Sequence, residues 1–144
     1  MRPVLPCLVL AAAAQTGSTY VAVEAAYVPA KVRGGDAAVA VTFTPTEAQI
    51  VVNETPAPRL KLDAEQTILI DKQVPKPAGG PPPDPEHAKY LDPAVPVRFP
   101  VALASGAPKG THRVKGTVTY FFCSKREGWC RKGTADVVLT VAVP

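Results

Sequence analysis

His112-Arg113-Val114-Lys115-Gly116-Thr117-Val118-Thr119-Tyr120-Phe121-Phe122-Cys123 is the stretch that decides the fold. In an extended chain successive side chains point to opposite faces, so Val114, Gly116, Val118 and Tyr120 share one side. Thr117, Thr119 and Phe121 share the other. β-Branched and aromatic residues suit a pleated surface that is half buried. The strand ends at Cys123, and Ser124 to Trp129 carries Gly128, a turn residue. Cys130 then opens a return toward residues 135–143, where Val137, Leu139, Val141 and Val143 align on one face. The pattern predicts a β-hairpin.

Upstream runs follow the same period. Thr19 to Ala26 sets Val21, Val23 and Ala25 against Tyr20, Ala22, Glu24 and Ala26. Gly34-Gly35 marks a turn, and Ala37 to Thr44 then places Val39, Val41 and Phe43 together. Ile50 to Val52, Arg59 to Leu62 and Thr67 to Ile70 are short strand candidates. Ala94 to Leu103 puts Val95, Val97, Phe99 and Val101 on one face, opposite Arg98. No window shows helical periodicity, so the expected class is all-β, an antiparallel sandwich or barrel. Between Val74 and Pro100 nine residues are proline, including Pro81-Pro82-Pro83. Proline cannot donate to a ladder, so the early part of this segment is read as loop. It either connects the two sheets or lies over a functional site.

The 144 residues are enough for one domain with a real core. The net charge of +4 is spread along the chain without a basic block or interleaved aromatics, so no nucleic-acid partner is expected. Arg2, the apolar run Val4 to Ala14 and the small residues Ala12 to Ala14 read as an export signal cleaved before Gln15. The run is too short to span a bilayer, and no later stretch is long enough either. The expected plan is a signal peptide at 1–14 and one domain at 15–144, periplasmic or secreted and without a membrane span in the mature chain. Cleavage removes Cys7. Cys123 and Cys130 are then left in a compartment where disulfides persist.

These two cysteines are the candidate site. Six residues separate them, and a hairpin brings its strand ends within disulfide reach. Lys125, Arg126, Arg131 and Lys132 lie close in sequence, against one carboxylate, Glu127. Nearby cations favour thiolate, the species that attacks a disulfide. Phe121, Phe122 and Trp129 either shield the sulfurs or form a docking surface. From the residues alone, a fixed staple and an exchange pair both stay open. No motif frames His87 and His112 as metal ligands, and the cysteine spacing is not that of a zinc finger or ribbon. Neither a glycine-rich phosphate loop nor a nucleophile elbow is present. No cofactor and no metal are expected.

Further stretches carry a family resemblance. Asn53-Glu54-Thr55-Pro56 precedes Leu60-Lys61-Leu62, and Asp84-Pro85-Glu86-His87 leads through Tyr90 to Val97-Arg98-Phe99-Pro100-Val101. Gly116-Thr117-Val118-Thr119-Tyr120-Phe121-Phe122-Cys123 and Cys130 follow. In this order they resemble the N-terminal domain of the thiol:disulfide interchange protein DsbD and its stand-alone relatives. The resemblance implies an immunoglobulin-like antiparallel β-sandwich with Cys123 and Cys130 as redox cysteines. It also implies thioredoxin-fold or DsbD-like membrane redox proteins as partners. The chain departs from the family in three ways. The cysteine spacing is one residue longer, Asp84 to Ala88 carries no aromatic cap, and Ile50, Val51 and Val52 stand where the family has tyrosines. No membrane or thioredoxin domain follows Pro144, so a separate electron donor is expected. Cys123 is read as the attacking thiol and Cys130 as the resolving one, with the reverse left open. The rival reading is a non-catalytic periplasmic interaction module with a structural disulfide.

Overall fold

The computed structural model describes residues 19–32, 36–74 and 89–144. The expected signal peptide with Cys7, the Gly34-Gly35 turn, Pro81 to Pro83 and Asp84 to Ala88 with His87 lie outside them. The described chain is an antiparallel β-sandwich of the immunoglobulin-like kind. Its strands are β1 (Val21–Val28), β2 (Ala37–Pro45), β3 (Ile50–Val52), β4 (Arg59–Leu62), β5 (Leu69–Asp71), β6 (Val97–Leu103), β7 (Gly110–Ser124) and β8 (Cys130–Val143). One sheet runs β1-β2-β6-β5. In the other, the long β7 has β8 along one edge and both β3 and β4 on its remaining side.

The alternation seen in the sequence builds the core. Val21, Val23, Val39, Val41, Phe43, Phe99 and Val101 face inward from the first sheet. Val114, Val118, Tyr120, Phe122, Val137, Leu139 and Val141 meet them from the second. Each fully buried valine contributes about 1.5–3 kcal/mol by leaving water. Tyr120 is directly opposite Gly133, and a Cβ on that glycine would lie 2.5 Å from the ring. The ring therefore occupies the volume that any other residue at 133 would need.

Two local breaks have a backbone cause. β3 and β4 lie along the same edge of β7, opposite Phe122 to Ser124 and Gly116 to Thr119. Pro56 and Pro58 lack an N–H, so the ladder stops after Asn53 and resumes at Arg59. Pro96 sits at the start of β6 in the same way. Val95 precedes the strand in a turn closed by its N–H donating to Asp92 O, and it is 62% exposed rather than inward-facing. The proline-rich segment also corrects one expectation. It begins after β5 and ends at β6, which are neighbours in one sheet, so it does not connect the two sheets. Before returning, it visits the edge of the other sheet. There Leu91 N–H donates to Val52 O, Glu54 N–H donates to Lys89 O, and Tyr90 is bridged to Asn53.

Candidate functional site

β7 and β8 pair in register from Gly110↔Val143 to Cys123↔Cys130, which places the two cysteines directly opposite one another. Ser124 N–H donates to Trp129 O just beyond them, so this is the close, non-hydrogen-bonded kind of antiparallel pair. The Cα atoms are 4.0 Å apart and the sulfurs are joined at 2.05 Å. The proximity expected from the spacing is met by a disulfide.

The hairpin loop holds this pairing in place. Gly128 N–H donates to Ser124 O, and Ser124 Oγ accepts from Glu127 N–H at 3.1 Å. Gly128 has φ 75°, a left-handed conformation in which a Cβ is disfavoured. Gly128→Ala should cost about 1–2 kcal/mol of stability. Urea unfolding of the oxidised protein measures it; an unchanged midpoint would mean that the loop tolerates the Cβ.

Alternation separates the surrounding side chains into two groups. Core-facing positions on β7 are even-numbered and on β8 odd-numbered. Cys123 and Cys130 therefore project from the outer face of the sheet, with Phe121, Lys125 and Lys132. Phe122 and Trp129 lie on the other side, where they form an aromatic cluster with Tyr20 at centroid distances of 5.2–5.8 Å. Trp129 Nε1–H donates to Glu127 Oε2 at 2.6 Å. Arg131 joins that cluster, its guanidinium 4.1 Å from the Trp129 ring centre. The four cations expected around the pair are thus divided. Arg131 stacks on the far face, Arg126 is exposed in the loop, and Lys125 sits 4.9 Å above the Tyr90 ring on the disulfide face.

Three residues complete the site: Val51, in the stretch that the resemblance sets where the family has tyrosines near the active site, and Asn53 and Tyr90, which the sequence does not mark as site residues. Val51 is opposite Cys123 on the β3 side. Asn53 follows, its N–H donating to Phe121 O, and its side chain is wholly buried. Asn53 Oδ1 lies 3.2 Å from Cys123 Sγ. Tyr90, bridged to Asn53, supplies an aromatic ring on this face. Nothing in the local pattern around Asn53 or Tyr90 marks a cysteine contact.

The two cysteines differ in exposure. Cys123 is 0% exposed, and Cys130 is only partly buried. Comparison with protein-family models, with curated proteins and with solved structures finds no match. His112 takes no part in it: its Nε2 is 2.7 Å from Pro108 O, near the opposite end of β7.

Proposed function

We propose that this chain is an exported thiol–disulfide exchange domain, of the kind that its Gly116-to-Cys123 stretch, Cys130 and upstream motifs resemble. Electrons pass between protein partners through Cys123 and Cys130. The observation that carries the reading is the asymmetry of the pair, with Cys123 wholly buried and Cys130 partly exposed. A partner thiolate attacks the accessible Cys130 Sγ, the Cys123–Cys130 bond breaks, and Cys123 leaves with the electron pair and takes up a proton. The partner's second thiol then attacks the mixed disulfide and releases Cys130 as a thiolate. Two electrons have moved from a protein dithiol to this domain. In the opposite step, Cys130 attacks a downstream disulfide and Cys123 resolves it. This reverses the roles first read from the strand position of Cys123, because access to solvent governs which sulfur an incoming protein meets. A thioredoxin-fold protein and a DsbD-like membrane protein are the partners proposed, in the periplasm.

Full burial of Cys123 also favours a second reading, a staple in a non-catalytic interaction module. Reduction potential separates the two. Structural disulfides lie below about −300 mV, and exchange-competent ones lie higher. Equilibration with glutathione should therefore reduce a measurable fraction of the protein. In the reduced protein, Cys130 should alkylate at least about tenfold faster than Cys123, read by peptide mass spectrometry. A potential below that limit, or equal alkylation rates, sinks the exchange reading.

A further inference from the structure

Asn53 is the one buried side chain among the described residues with a polar atom lacking any hydrogen-bond partner, Nδ2, and its other polar atom touches the disulfide. The contact at 3.2 Å between Asn53 Oδ1 and Cys123 Sγ cannot be a hydrogen bond in the oxidised protein, because a disulfide sulfur carries no proton. The buried carbonyl oxygen therefore faces a group that offers it no donor. Leaving such an acceptor without a donor away from water is unfavourable. On reduction the situation reverses. Cys123 gains an S–H, and its sulfur already stands 3.2 Å from the same oxygen before the bond opens.

We infer that Asn53 is a redox-positioning residue, stabilising the dithiol over the disulfide by accepting the Cys123 S–H bond that exists only after reduction. The inference rests on the exchange reading for its biological use, but its thermodynamics do not depend on a partner. Two glutathione thiols supply two electrons and two protons. The Cys123–Cys130 bond breaks, each sulfur gains a proton, and glutathione disulfide forms. The Cys123 proton then sits between Sγ and Asn53 Oδ1. Holding Cys123 as the protonated thiol also leaves Cys130, the accessible sulfur, as the one free to act as thiolate.

The test is the equilibrium constant for reduction by glutathione, measured on the wild-type protein, Asn53→Leu and Asn53→Asp. Leucine fills a similar volume with no acceptor, so its constant should fall about 3- to 10-fold. That fold-change corresponds to a potential lower by about 15–30 mV. Aspartate keeps an oxygen at the position of Oδ1, so its constant should stay within about twofold of wild type or rise. A purely structural role for Asn53 would change the stability of both redox forms equally and leave the constant unmoved in both variants. Unfolding midpoints give the same comparison by a second route. Asn53→Leu should raise the midpoint of the oxidised form more than that of the reduced form, because only the oxidised form loses an oxygen without a donor. Equal shifts, or an unchanged constant in Asn53→Leu, overturn the inference. If glutathione cannot reduce the wild type, dithiothreitol replaces it and the variants are still compared. A wild-type potential below the structural limit then ends the exchange reading, while the variant ratio still decides the role of Asn53.

Discussion

Cys123→Ser should trap a covalent complex with a thioredoxin-fold disulfide partner, and Cys130→Ser should trap at least about tenfold less. The reason lies in access and not in sequence order. With Cys130 retained, the thiol of the partly exposed residue attacks the partner, and no second thiol remains to resolve the mixed disulfide. The serine hydroxyl left at position 123 can donate to Asn53 Oδ1, so the variant should fold. With Cys123 retained, the lone thiol is wholly buried beside Val51 and Asn53, and a protein partner cannot align with it. Non-reducing electrophoresis against a purified thioredoxin-fold protein, followed by mass spectrometry of the linked peptide, reads the outcome. Equal trapping by the two variants, or more through Cys123, would show that burial in the resting protein does not govern attack.

The second large effect is on stability. Tyr120 is 0% exposed at the centre of the core, with its ring 5.2 Å from Phe43 and 5.8 Å from Phe122. Its other face lies on Gly133, where an added Cβ would stand 2.5 Å from Cζ and 2.7 Å from Cε2. Tyr120→Ala should cost about 3–5 kcal/mol, the range for removing a large aromatic from a core. Gly133→Ala should cost about 1–3 kcal/mol, because the ring must leave its packing to admit the methyl group. The two costs should not add. Once the ring is gone, the methyl at 133 enters the space it vacated, so the double variant should be more stable than the sum of the single changes implies. Urea unfolding of the three variants measures the coupling. Strict additivity would mean that the ring and the glycine are independent.

Much of the hairpin was legible because its cues are local. Alternation from Val114 to Tyr120 placed the inward face correctly, and the six-residue gap placed Cys130 opposite Cys123. The same alternation, carried through to residues 130–132, separates Arg131 from Cys130. Counting the four basic residues by sequence distance alone hid that division. The short runs at 50–52 and 59–62 are separate strands in sequence and structure alike, because Pro56 and Pro58 interrupt the ladder between them. Alternation puts Val95 on one face with Val97, Phe99 and Val101, but the turn from Asp92 runs up to the start of β6, and a side chain before the strand has no pleat to orient it.

The sequence by itself determined the class, the inward faces of the long strands and the pairing of the two cysteines. All three follow from the two-residue period of an extended backbone and the short reach of a hairpin, which depend only on neighbours in the chain. The tertiary structure alone decided which cysteine is wholly buried and what touches it. Asn53 is 70 residues from Cys123, and it arrives there because β3 pairs with β7 through backbone hydrogen bonds. Tyr90 arrives by a further bridge to Asn53. Backbone pairing of this kind uses groups that almost every residue possesses, so it leaves no mark on residue type from which a contact so distant in the chain could be read.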